Sequence, residues 1–469
     1  MINYTGTYTD KYQLSMAQAY FLKGQKNHSA VFDYFFRKLP FDGGYAIYAG
    51  LDDLLKILEN LRFDKVDLDY LKGEGFHADF LSYLKNFQFK GTIYSCLEGE
   101  VIFPTCPIIS VEANLIEAQL IETLVLNVLN FQTLIATKAS RIREVAAGRN
   151  LIDFGLRRAQ GPAGYYASRA AVVGGFDATS NVRAGRDYDI PIAGTMAHSF
   201  VQSFDDELSA FRVFAESWPE QSVLLVDTYN TLESGVPNAV KIGKEMEKQG
   251  HQLKGIRIDS GDLAYLSKKA RQILDEAGLT KVEISVSNQL DEYVIKSLLE
   301  QNSPIDTFGV GTNLCIGVPD AALDGVYKLA YVNNRPCIKI SDTLKKISLP
   351  HKKQVYRILE NGGRFWGADA ITLFDERELG VMYHPFEPSK SISLANCKKE
   401  KLLQKVMEQG KPLFPAKTLT ELSQYCQQRL NYLPIEYKRI INPHLYKVGL
   451  SEKLYSQRAE LIEKHKGSK

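Results

Sequence analysis

Between residues 151 and 313 one pattern occurs five times: a short apolar run, then polar or glycine-rich residues. The runs are 151–154, 223–226, 256–258, 282–286 and 308–310. They end in Arg157-Arg158, Asp227-Thr228-Tyr229-Asn230, Asp259-Ser260-Gly261-Asp262, Ser287-Asn288 and Gly311-Thr312-Asn313. Helical patterns over 236–250, 263–278 and 290–300 separate several of them. Strand alternating with helix, with chemistry-bearing residues at the strand ends, describes a parallel β/α barrel. An open doubly wound sheet is the alternative, but no Gly-x-Gly-x-x-Gly follows the first strand, which weakens a dinucleotide site.

The sharpest of these segments is Gly255-Ile256-Arg257-Ile258-Asp259-Ser260-Gly261-Asp262-Leu263. Alternation puts Arg257 and Asp259 on one side of a short strand, at its carboxyl end. Arg257 offers a planar fork for phosphate or carboxylate, and Asp259 can face a metal ion or a developing positive charge. A structural ion pair would give the same pattern.

The flanking regions read differently. Residues 1–130 mix short helices and strands, with a helix opening at Asp10 and a strand over 31–36. A helical, largely apolar stretch covers 115–147, and residues 331–469 return to mixed strands and charged helices without a motif. The expected division is therefore 1–130, 131–330 for the barrel, and 331–469. A chain of 469 residues exceeds one ordinary core. Its 45% hydrophobic and 24% charged content is that of a globular protein.

A net charge of +2 argues against a nucleic-acid partner, and Lys345-Lys346, Lys352-Lys353 and Lys398-Lys399 read as solvated faces. Met1-Ile2-Asn3-Tyr4-Thr5 lacks a secretory pattern, and no apolar run reaches membrane-spanning length. Six cysteines without Cys-x-x-Cys suggest reduced thiols, with neither a disulfide frame nor a zinc site. The expected setting is cytoplasmic, with no membrane partner.

Several segments, taken in order, resemble the nicotinate phosphoribosyltransferase family. They are Thr9-Asp10-Lys11-Tyr12-Gln13, Asp153-Phe154-Gly155-Leu156-Arg157-Arg158, Thr179-Ser180-Asn181-Val182, Gly194-Thr195-Met196-Ala197-His198-Ser199-Phe200, Arg257-Ile258-Asp259-Ser260-Gly261-Asp262 and Gly309-Val310-Gly311-Thr312. Ala163, after Gly161-Pro162, departs from the acidic residue expected there.

The resemblance implies an ATP-coupled, ligase-class condensation of nicotinate with phosphoribosyl pyrophosphate. It implies an irregular barrel with an α+β domain built from both chain termini, in a homodimer with shared sites. Mg2+ is the expected companion of the pyrophosphate. Nicotinate falls to Tyr12, Phe154, Arg157, Ser180, Thr195 and Arg257, with Tyr12 supplied by the partner subunit. Phosphoribosyl pyrophosphate falls to Asp10, Arg157, Asn288, Gly309, Gly311 and Thr312. His198 becomes a phosphohistidine and, with Asp259 and Arg257, carries the catalysis.

Each assignment has a plainer rival: Tyr12 and Phe154 as core aromatics, His198 as a structural imidazole at the start of a helix over 199–216, and the Gly-x-Gly as a tight turn. Among enzymes, a nicotinamide- or quinolinate-using relative is the nearest alternative. Ser180 argues against the first, because enzymes for the amide carry Asp there. A barrel lyase would want a Schiff-base lysine at a strand end, and none of the five strands shows one.

Overall fold

In a computed structural model, six short strands run parallel: β1 (Asn150–Asp153), β2 (Ala178–Thr179), β3 (Val223–Leu225), β4 (Gly255–Ile258), β5 (Glu283–Ser287) and β6 (Thr307–Val310). Their order in the sheet is β2-β1-β6-β5-β4-β3. The structure describes residues 4–341, 343, 346–387 and 389–466, so Met1, Ile2, Asn3 and Lys345 lie outside the described residues.

Five strands stand where the apolar runs predicted them. The sixth, β2, is two residues long and too short to show a period. Both edge strands, β2 and β3, line the same central cavity as the other four, so the sheet curls around it. At the seam the chain after β2 folds back, with a parallel bridge from Thr179 to Ile192. The result is the irregular parallel barrel that the sequence implied.

The barrel's outer face is closed by helices. Leu151, Leu224, Ile256, Ile284 and Phe308 point outward and have no accessible surface. Helix Val236–Lys248 buries Val236, Ala239, Ile242 and Met246 at helical spacing, and Leu263–Glu276 buries Ala264, Ser267, Ala270 and Leu274. Each large apolar side chain so covered contributes about 1.5–3 kcal/mol.

One expected element is corrected. The helix anticipated over 199–216 is two helices, His198–Gln202 and Glu207–Ser217. Asp206 interrupts it by capping the second: its Oδ1 accepts from the Ser209 N–H at 2.8 Å and its Oδ2 from the Ser209 hydroxyl at 2.8 Å. Asp bonds the backbone more readily at a helix start than inside one.

The barrel lies in a compact unit, Lys138–Ala321, and a second unit joins Met1–Thr137 with Ala322–Lys469. In that second unit the strand Ser29–Phe36 pairs antiparallel with Ile109–Asn114 on one side and with Gly325–Val332 on the other. Both chain termini thus build one sheet. Arg357, fully buried, adds a polar tie: Nη1 meets Glu100 at 2.5 Å and Nε meets Asp369 at 3.0 Å. Among the described residues no helix is long and apolar enough to cross a membrane.

Candidate active site

Parallel strands deliver their carboxyl ends to one side, and there the side chains interlock. Asp227, after β3, accepts on one oxygen from the Asp259 N–H at 2.8 Å and from the Ser260 hydroxyl at 2.6 Å. That hook fixes the end of β4. Arg257 Nη2 then lies 3.1 Å from Asp259 Oδ1. Ser287, at the end of β5, accepts from Arg257 Nε at 3.0 Å and donates a very short hydrogen bond to Asp259 Oδ1. Arg257 Nη1 donates to Thr195 Oγ1 at 3.0 Å, and the guanidinium carbon sits 5.4 Å from the Phe154 ring centroid. The guanidinium is therefore held by three polar partners and one aromatic face.

His198 opens its short helix beside this pair. Its Nδ1 is 3.1 Å from Thr228 Oγ1, and its Nε2 is 3.9 Å from Asp259 Oδ2, too far for a hydrogen bond. The imidazole is 41% exposed, so it is no core histidine.

Beneath Phe154, the buried Asp153 joins β1 to β2. Its carboxylate accepts from the Gly155 N–H at 2.8 Å, the Ser168 hydroxyl at 2.7 Å and the Thr179 hydroxyl at 2.8 Å. Burial lifts its pKa above the usual carboxylate value, while those three donors pull the other way. The next peptide is anchored too, by the Ser180 N–H donating to the Asp153 carbonyl at 2.8 Å.

Phe154, Arg157, Ser180, Thr195 and Arg257, all expected at the nicotinate site, line one cavity of about 260 Å³ with Leu156 and Gly194. Gly309 makes room for the aromatic wall: a Cβ there would lie 2.3 Å from the Phe154 ring. Gly311 has no such constraint and precedes Thr312 at the end of β6. Asn313 ties this turn to the neighbouring one through its amide, 3.1 Å from the Leu290 carbonyl. Asn288, exposed, follows β5 with a left-handed φ of 88°.

Asp10 and Tyr12 make their contacts in the other unit. Asp10 Oδ2 accepts from the Thr123 hydroxyl at 3.1 Å, and the Tyr12 hydroxyl donates to Glu122 at 3.2 Å. Burial and the Glu122 charge push that phenol up to about 12, while the residue stays 49% exposed.

Three polar residues in the network escaped the sequence reading. Asp227 and Thr228 stood out only as strand-end residues, and Ser287 only as the polar stop of a run. Among the described residues no three metal-binding side chains gather.

Comparison with known proteins bears on this geometry. Family models match the chain in three segments: the nicotinate phosphoribosyltransferase N-terminal domain over 7–130, the nicotinate phosphoribosyltransferase family over 149–363, and the nicotinate phosphoribosyltransferase C-terminal domain over 352–458. The chain is 44% identical to the nicotinate phosphoribosyltransferase of Bacillus subtilis, covering 98% of this chain and 95% of that protein. It is 37% identical to the nicotinate phosphoribosyltransferase of Caenorhabditis elegans, covering 95% and 91%. The human nicotinic acid phosphoribosyltransferase structure superposes with a TM-score of 0.86 at 30% identity, covering 97% of this chain and 99% of that one.

Proposed function

The chain belongs to the nicotinate phosphoribosyltransferase family, and from that premise we propose that it joins nicotinate to phosphoribosyl pyrophosphate, giving nicotinate mononucleotide and pyrophosphate on the way to NAD. One observation carries the reading: an aromatic face, two guanidiniums and two hydroxyls converge on a single cavity of about 260 Å³. A cavity of about 150 Å³ already holds a benzene ring, and a pyridine carboxylate needs a flat wall plus bidentate cations.

In this reading Phe154 stacks the ring and Arg257 grips its carboxylate, with Arg157 near the phosphates. Ser180 keeps a like charge away from the carboxylate and Thr195 adds a hydroxyl contact. The ring nitrogen's lone pair attacks ribose C1 while the C1–O bond to pyrophosphate breaks. Positive charge builds on the sugar, as in glycoside cleavage, and the Asp259 carboxylate stands against it. Asn288, Gly311 and Thr312 cradle phosphate, whereas Gly309 acts through the Phe154 ring. Asp10 and Tyr12 complete the neighbour's site in a homodimer, and the half-exposed Tyr12 ring suits a second wall. The six cysteines are free thiols, which suits a cytoplasmic setting.

Magnesium fits the donors present. Mg2+ takes one or two carboxylates and keeps the rest of its shell for phosphate oxygens and water. Asp227 and Asp259 stand at adjacent strand ends, and Asp227 Oδ1 is buried with no hydrogen-bond partner. These two would hold the ion, which when bound neutralises charge on the leaving pyrophosphate.

ATP coupling falls to His198. With its proton on Nδ1 and donated to Thr228, the Nε2 lone pair is free to attack the γ-phosphorus of ATP. The β–γ bridging P–O bond breaks and ADP leaves; water later cleaves the N–P bond and releases phosphate. Mononucleotide formation should require nicotinate, fail with nicotinamide, and rise with ATP. Equal kcat/KM for the two pyridines would overturn the substrate assignment. Acid-labile label from γ-labelled ATP persisting in His198→Ala would overturn the phosphohistidine.

A further inference from the structure

The barrel is not filled. Behind the nicotinate cavity lies a larger one of about 350 Å³, lined at one end by Phe154, Thr195 and Arg257 and at the other by Asn150, Lys254 and Glu283. The first group belongs to the strands' carboxyl side, whereas Asn150 and Glu283 begin β1 and β5 and Lys254 immediately precedes β4. The cavity therefore runs along the barrel axis from the site to the opposite mouth.

Parallel barrels ordinarily pack this axis with layers of branched side chains. Here the inward positions of β4, β5 and β6 include Gly255, Ser285 and Gly309. Close contacts hold both glycines small: a Cβ on Gly255 would lie 2.9 Å from the Glu283 carbonyl oxygen, and one on Gly309 would meet the Phe154 ring. Burial is inverted as a result. Ile152 and Val223 face the axis and are only partly buried, while their outward neighbours Leu151 and Leu224 are fully buried. The axis thus has an apolar waist and a polar rear rim, where the exposed Lys254 stands on the strand beside Glu283.

We propose that this axial cavity is a second subsite, entered from the rear mouth, for a small aromatic carboxylate. The ring occupies the Ile152–Val223 waist and the carboxylate meets Lys254. Phe154, Gly194, Thr195 and Arg257 line both cavities, so an occupant presses on the guanidinium that serves the front site. The inference rests on the proposed function, which makes nicotinate itself the available ligand of this class. Its consequence is inhibition by nicotinate at high concentration.

The test is calorimetric titration of the full-length protein with nicotinate, alongside initial rates over a wide nicotinate range. Wild type should take up two nicotinates per chain. Val223→Phe, which fills the waist, should take up one, with KM kept and the high-concentration inhibition gone. Lys254→Met leaves the waist open and should weaken only the second event, by about tenfold, the worth of one charge-assisted hydrogen bond. One nicotinate per chain in the wild type would overturn the subsite. So would two in a folded Val223→Phe chain, or an unchanged second event in Lys254→Met. Two-site binding without mononucleotide formation would instead overturn the proposed activity and leave the subsite standing.

Discussion

Ser287 holds the two charged members of the site with one oxygen, accepting from Arg257 Nε and donating to Asp259 Oδ1. Truncation to alanine leaves Arg257 its contacts to Thr195 and Asp259, so the guanidinium stays but loses its fixed tilt. Hydrogen bonds to charged groups are worth about 1.5–3 kcal/mol, so kcat/KM for nicotinate should fall by about 10–100-fold in Ser287→Ala. The melting temperature should barely move. A large thermal loss with kcat/KM intact would make Ser287 merely structural. At Gly309 the constraint is steric. Gly309→Ala puts a methyl 2.3 Å from the Phe154 ring and must displace it, at about 1–3 kcal/mol for an overpacked position. KM for nicotinate should rise, as steady-state rates would show.

Elements were legible where periodicity is a local property. Arg257 and Asp259 could be placed on one side of one strand because side-chain alternation needs no knowledge of the partner strand. Partners are another matter: Ser29–Phe36 lies against Gly325–Val332, and no pattern within either segment names the other. The same limit hid Ser287, whose role exists only because β5 lies beside β4. Strand β2 escaped for want of length, yet the turn after it carries Ser180. That turn is built by Asn181, whose side-chain oxygen accepts from the Ala184 N–H at 3.2 Å and caps the helix Val182–Tyr188. Its amide also reaches the Ser168 hydroxyl at 3.3 Å, inside the Asp153 network. Asn181→Ala should cost about 1 kcal/mol as a lost cap and loosen Ser180. A lower melting temperature together with a raised nicotinate KM is expected. Thermal loss without any change in KM would detach this turn from substrate binding.

At the scale of the molecule, the unit made of both termini depends on a charge cluster whose members are far apart in sequence. The buried Glu100 receives Arg357 Nη1 at 2.5 Å, Arg429 Nε at 2.9 Å and the hydroxyl of the partly buried Tyr425 at 2.6 Å. Burial alone would raise the Glu100 pKa, but the two guanidiniums outweigh it and hold the group below its usual value. The sign of the pH effect follows. A carboxyl that is more acidic folded than unfolded adds stability at any pH above its unfolded pKa, about 4.3. That stability drains away as pH falls through the depressed folded value. Glu100→Gln removes the charge between two buried guanidiniums and leaves each with one carboxylate, Asp369 for Arg357 and Glu400 for Arg429, a loss of about 1.5–3 kcal/mol, the worth of a hydrogen bond to a charged group. Urea unfolding at neutral pH should reveal that deficit. Repeated from pH 7 down past pH 4, the same measurement should show wild type losing stability more steeply than the variant, so that the two curves converge in acid. Parallel curves would mean that folding leaves the acidity of Glu100 unchanged, so that the two guanidiniums do not hold its charge.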